Sequence, residues 1–147
     1  MRAVVQRVSR AAVRVDGAEI GRIDRGLAVL LGIGVKDGDA EVHWMVRKLA
    51  ELRIFPDAEG RMNRSLEEEG GAVLLVSQFT LYGDVARGRR PSYTGAAPPE
   101  IAAPLVAEVT AGLRARGIPV ACGRFGAIME VEFVNQGPVT ILLETAP

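Results

Sequence analysis

At 147 residues the chain is long enough to bury most of its apolar surface around one core and too short to favour two, so a single domain spanning 1–147 is expected. Hydrophobic residues make up 48% of it and charged residues 24%, the balance of a soluble globular protein, which excludes extensive disorder. Eighteen basic and eighteen acidic residues cancel; that excludes the strong positive field of a general nucleic-acid binder and confines any RNA contact to a local patch.

In chain order, Arg2 to Val8 and Ala11 to Val15 alternate apolar positions and carry β-branched residues, and Asp16-Gly17 turns the chain before Glu19 to Ile23, which predicts an opening hairpin. Gly26 to Val35 is nearly all apolar, the pattern of a central strand covered on both faces. Within it, Leu27 to Val35 is the longest apolar run and is interrupted by two glycines, far short of the ~20 residues a membrane helix needs. With no signal-peptide pattern at Met1 to Arg7, a cytoplasmic protein without a membrane partner is expected.

Lys36 to Asp39 forms a turn ending in a candidate N-cap, and Val42, Met45, Val46, Leu49 and Leu52 then recur at helical spacing, predicting a helix over 40–52. His43 has no histidine partner and reads as structural or exposed, while Trp44 flanks the apolar stripe as packing. Arg53 to Pro56 suits a short strand; Asp57 to Gly70 reads as an irregular surface excursion with Glu67, Glu68 and Glu69 solvated.

Ala72 to Leu81 is apolar and extended in pattern, yet it holds Ser77, Gln78 and Thr80 where a purely structural strand would carry aliphatic residues. Tyr82 to Ala97 is rich in Gly, Arg and Ser and reads as a loop; Arg87, Arg89 and Arg90 beside Tyr93 are its local basic patch. Pro98-Pro99 can open a second helix, with Ile101, Leu105, Val109 and Leu113 as its stripe and Gly117-Ile118-Pro119 as its stop. Ile128 to Val134 and Val139 to Glu144 read as two strands joined through Asn135-Gln136-Gly137-Pro138. The fold class is therefore α/β: strand-rich, with a largely antiparallel sheet and two main helices.

No Ser-His-Asp arrangement, metal-ligand cluster or phosphate loop is legible, and no cofactor or metal is expected. Cys122 is the only cysteine, so no intrachain disulfide forms, and an inert buried thiol is expected. From the residues alone, three features stand out: a polar strand at Ser77 to Thr80, a basic loop, and a Gly-Pro turn. They are compatible with an RNA-binding module or a small esterase using Thr80 or Cys122.

Ser77-Gln78-Phe79-Thr80 and Asn135-Gln136-Gly137-Pro138-Val139-Thr140 resemble, in this order, the paired signature of D-aminoacyl-tRNA deacylases. Val4 to Ala11, Gly26 to Gly34, Gly88 to Ser92, Ala97 to Glu100 and Phe125 to Met129 extend the resemblance over essentially the whole chain. Gln136 departs from the residue the family often has there, whereas Ser77 and Phe79 match the standard deacylase rather than a related animal branch.

The resemblance implies a DTD-like fold and hydrolysis of the ester joining a D-amino acid, or glycine, to tRNA. It assigns Ser77, Gln78, Phe79 and Thr80 to the catalytic wall, and Gly137 and Pro138, joined by a cis bond, to L-amino-acid rejection. Phe125 and Met129 would line the pocket, and Arg87, Arg89 and Arg90 would meet tRNA phosphates. It further implies a homodimer in which Gly137-Pro138 of one subunit enters the active site of the other.

Overall fold

The computed structural model describes residues 1–146. Strand β1 (Arg2–Val15) is the organiser of the sheet. Its second half pairs antiparallel with β2 (Ala18–Ile23), turning through Asp16 and Gly17 at φ 50° and 77°, the positive values that a tight two-residue hairpin requires. Its first half pairs antiparallel with β3 (Gly26–Gly32), and β3 continues into parallel pairing with β6 (Ala72–Ser77) and then β7 (Val120–Cys122). Along its other side β1 pairs almost from end to end with β8 (Glu130–Glu144).

The period-two alternation of β3 and β6 separates two cores. Leu27, Val29 and Leu31 with Val73 and Leu75 face the helices, whereas Ala28, Leu74 and Val76 join Val8, Val13 and Ile23 inside the curl of the sheet. Beneath the first core lie α1 (Asp39–Glu51) and α3 (Pro99–Ala115), packed on each other. Met45, Leu49, Val109 and Leu113 on the two helices are fully buried, at roughly 1.5–3 kcal/mol for each large side chain removed from water. The mixed α/β class, the two long helices and the doubly covered central strand agree with the sequence pattern; the sheet combines an antiparallel β2–β1–β3 and β1–β8 part with a parallel β3–β6–β7 part.

Four local expectations are corrected. The helix α1 is capped at Gly38, because the Glu41 carboxylate accepts the Gly38 N–H at 2.9 Å, and Asp39 falls inside the first turn, where a carboxylate suits the helix dipole. The 57–70 excursion is ordered: β4 (Phe55–Pro56) pairs with β5 (Met62–Arg64), and a short α2 (Leu66–Glu69) follows a Ser65–Glu68 capping box. Glu69 is not a solvated side chain but an ion-pair centre between Arg25 at 3.1 Å and Arg64 at 2.9 Å. The two expected C-terminal strands are one, β8, whose ladder to β1 is broken opposite Arg7 and Ser9 by the Gly137–Pro138 segment. Among the described residues no helix is long and apolar enough to cross a membrane.

Candidate functional site

Parallel strands end together, and their carboxyl ends leave a crevice that no ladder fills. Here β3 and β6 deliver Leu31, Ile33, Val76 and Ser77 to a cavity of about 550 Å3, closed on one side by the start of α3 and on another by Phe125 and Met129. The lining is mostly apolar, with Ser77, Gln78 and Tyr93 as its side chains that carry polar groups, the composition of a site that holds a ligand by shape and orients it with few polar groups. Among the described residues no group of three His, Cys, Asp or Glu side chains assembles that could hold a metal ion.

The strand expected over 72–81 stops at Ser77, opposite Leu31, and Phe79–Tyr82 is a single 3-10 turn. Leu31 supplies the last anchor, its carbonyl accepting the Gln78 N–H at 2.7 Å. The turn is seated in a notch made by missing side chains: a Cβ at Gly32 would lie 2.9 Å from the Gln78 carbonyl oxygen, and one at Gly34 would lie 2.7 Å from the Tyr82 hydroxyl. Burial, with Asp37 close by, pushes the Tyr82 phenol up to about 12. The opening N–H groups of such a turn have no intrahelical acceptor, and Gln78 provides no side-chain cap for them. Its amide instead donates to the Thr80 hydroxyl. The turn thus presents backbone donors, an amide and a hydroxyl at the cavity rim, where Phe79 is 57% exposed and meets Tyr93 edge to face at 5.0 Å.

The second polar segment is braced with equal care but lies elsewhere. Asn135 spans its loop: its Oδ1 accepts the Val139 N–H at 2.7 Å, and its Nδ2 donates to the Val139 carbonyl at 3.0 Å and to Gln6 Oε1 at 2.6 Å. Arg7 donates to the Gln136 carbonyl at 2.9 Å and to the Ile54 carbonyl at 2.6 Å, tying the loop to the body of the protein. The Gly137–Pro138 peptide is cis. Gly137 has φ 152°, and a Cβ there would lie 2.8 Å from the Val139 nitrogen, so the position requires glycine. Gln136, Gly137 and Pro138 are exposed and line no part of their own chain's 550 Å3 cavity.

Of the residues singled out in the sequence, Ser77, Gln78, Phe79, Phe125 and Met129 therefore share one cavity, Thr80 sits on the same turn bonded to Gln78, and Gly137 with Pro138 stands apart. Arg87, Arg89 and Arg90 are exposed on a loop pinched by the mutual backbone bonds of Asp84 and Ser92, and the chain leaves it into Tyr93 at the cavity wall. His43 is exposed on α1, and Cys122 is half-buried, 3.6 Å from the Thr110 hydroxyl. Sequence reading missed Arg7 as the brace of the loop and Gly32 and Gly34 as the notch. Nothing in a β-strand pattern announces an arginine aimed at a carbonyl far along the chain. The two glycines at the end of an apolar strand were the available signal for a close approach.

The family described as D-Tyr-tRNA(Tyr) deacylase matches residues 4–144. A D-aminoacyl-tRNA deacylase of Roseiflexus castenholzii is 61% identical over 99% of this chain and 93% of the relative, and one of Syntrophobacter fumaroxidans is 53% identical over 99% and 97%. A solved structure described as "c-Myc DNA Unwinding Element Binding Protein" superposes with a TM-score of 0.93 at 42% identity over 100% of both chains. A second, a "probable eukaryotic D-amino acid tRNA deacylase", has a TM-score of 0.82 at 22% identity over 97% of each, a likeness of fold.

Proposed function

The chain belongs to the D-Tyr-tRNA(Tyr) deacylase family, and from that premise we propose that it hydrolyses the ester between a D-amino acid and the terminal ribose of tRNA in the cavity at the ends of β3 and β6. The observation that carries this reading is that Ser77, Gln78 and Phe79 line that cavity together with Phe125 and Met129, in a chain matched by the family almost throughout.

An aminoacyl ester is already reactive, so the protein's task is to place it and to receive the charge that develops on its carbonyl oxygen. The N–H groups that open the 79–82 turn supply that charge with donors, and Ser77 and Gln78 fix the ester beside them. Water adds to the carbonyl carbon and passes its proton to the substrate, where the ribose 2′-hydroxyl takes part in the transfer. The bond from carbonyl carbon to ribose oxygen then breaks, releasing the free amino acid and a tRNA with its hydroxyl restored. Thr80 contributes geometry through its bond to Gln78; among the described residues no base is hydrogen-bonded to it, and a neutral threonine hydroxyl is a weak nucleophile. Thr80→Ala keeping substantial activity agrees with this role; complete loss with intact binding makes Thr80 the nucleophile.

Selection against L-amino acids falls, in this reading, to Gly137 and Pro138 of a second copy. A rigid loop of main chain occupies the side of the α-carbon where an L side chain would project, and its carbonyl oxygens accept hydrogen bonds from the α-ammonium. A filter of this kind does not inspect the D side chain and does not reject glycine, so glycyl-tRNA, including tRNA-Ala mischarged with glycine, is also cleaved. Two features support a homodimer: the loop is braced yet lines nothing in its own chain's cavity, and β8, paired only with β1, leaves Phe133, Val134 and Leu142 exposed. Arg87, Arg89 and Arg90 meet tRNA phosphates beside the cavity mouth. Such an enzyme works where tRNA is charged, in the cytoplasm.

Matched D- and L-aminoacyl-tRNAs and a small ester, each incubated with the protein, test the reading. Release from the D-ester alone is expected. Cleavage of the small ester and of both tRNAs would make the protein a general esterase, and tRNA binding without any cleavage would make it an RNA-binding module.

A further inference from the structure

Arg2, at the start of β1, lies outside every role assigned above, yet its side chain meets the 79–82 turn at two points. Its Nη1 donates to the Leu81 carbonyl at 3.0 Å, and its guanidinium carbon stands 4.5 Å from the centre of the Tyr82 ring. Its Nε is held by Glu144 at 2.7 Å, at the end of β8. Among the described residues, no other side chain donates to a backbone carbonyl of the turn; Gln78 reaches the Thr80 hydroxyl and Asp37 lies beside that of Tyr82.

A single 3-10 turn has little internal bonding to keep its shape. This one is held below by sterics, where Gly32 and Gly34 make room for it, and at its entry by the Gln78–Leu31 bond. At its exit, where Leu81 and Tyr82 lead away from the cavity, that notch supplies packing and no hydrogen bond to the Leu81 carbonyl. Arg2 acts there: one edge of the guanidinium takes the Leu81 carbonyl, its flat face covers Tyr82, and Glu144 sets the orientation of the fork. A lysine has a single point of charge and cannot make the three contacts at once.

We infer that Arg2 is a positioning residue for the deacylation, clamping the turn that carries Gln78, Phe79 and Thr80 onto β1 and β8. The inference rests on the proposed reading of that turn as the wall that holds the ester. The Arg2 side chain is 41% exposed, so its removal leaves no buried hole and Arg2→Ala is expected to fold.

The test compares wild type, Arg2→Ala and Arg2→Lys on a D-aminoacyl-tRNA and follows amide exchange at Leu81 and Gly83, whose N–H groups close the turn on the Gln78 and Thr80 carbonyls. Arg2→Ala is expected to lower kcat about ten-fold with KM nearly unchanged, as a small displacement of aligned groups does. Exchange at both amides should speed up by a similar factor while β3, β6 and Tm stay as in wild type, and Arg2→Lys should recover part of kcat. Unchanged kcat, or unchanged exchange at both amides, in an active enzyme overturns the assignment alone. A wild-type protein that cleaves no D-ester overturns the deacylase reading and brings the assignment down with it.

Discussion

Ser77 to Thr80 and Asn135 to Thr140 both interrupt apolar strands with polar residues, and both are held by contacts from distant parts of the chain. The first turns over a cavity of its own chain, at the shared end of two parallel strands. The second bulges from an edge strand, braced by Asn135 and Arg7, and presents Gly137 and Pro138 outward. A loop fixed so firmly, yet lining no part of its own chain's 550 Å3 cavity, is what the proposed homodimer calls for. In this account one chain holds the wall of the site and lends the filter to its partner.

The comparison breaks first at the notch. Gly32→Ala drives a Cβ against the Gln78 carbonyl at 2.9 Å and against Leu81 and Tyr82 at 3.2 and 3.3 Å, and backbone cannot swing aside as a side-chain tip can. A loss on the order of 100-fold in kcat/KM is expected, with about 1–3 kcal/mol of stability from overpacking. Denaturant melts and single-turnover hydrolysis measure the two. Asn135→Ala attacks the other segment, leaving the Val139 N–H without its acceptor at a cost of about 1–3 kcal/mol. Because the wall is untouched, the expected signature is a D-over-L discrimination that falls about ten-fold, as loosened groups do, while D-ester hydrolysis falls less. Equal losses on both esters would mean that the loop does not select.

Smaller effects sharpen the contrast. Replacing Arg87, Arg89 and Arg90 together with alanine should raise KM for aminoacyl-tRNA and flatten its dependence on salt, since each lost phosphate contact removes about one released counterion. The loop filter should be unaffected, with the D-to-L ratio unchanged. The smallest effect concerns Tyr82. Its phenol is raised from 10.0 to about 12 in the folded protein, so the neutral form is favoured by folding. That contribution is complete below pH 10 and is lost as pH rises toward 12. Tyr82→Phe should remove this part of the alkaline loss of stability, and tyrosinate absorbance should show one of the two tyrosines ionising late.

Much of this was legible in the sequence. Alternation marked β1, a nearly continuous apolar run marked β3, the stripes Val42 to Leu52 and Ile101 to Leu113 marked the two helices, and polar residues in an apolar strand marked Ser77 to Thr80. The misreadings share a cause: contacts between residues far apart in the chain override local pattern. Phe79 to Tyr82 has strand composition but turns because Gly32 and Gly34 leave a seat for it. Residues 130–144 remain one strand because β1 offers a partner on both sides of the Gly-Pro bulge. The Ser65–Glu68 capping box, by contrast, was present in the sequence as Ser-x-x-Glu and announced α2 in a segment read as irregular. Arg7 and Arg2 carry no such mark, since the carbonyls they hold lie more than forty residues away.

The central claim is that the Gly137–Pro138 loop of one chain closes the cavity of the other, and proximity between chains tests it most directly. In a Cys122→Ser background, chains carrying Gln136→Cys are mixed with chains carrying Phe79→Cys and treated with a short thiol-reactive cross-linker. The account predicts a covalent dimer in the mixture well above either chain alone, and protection of that cross-link by D-aminoacyl-tRNA. A mixture that stays monomeric, or that cross-links no better than its separate components, would contradict it.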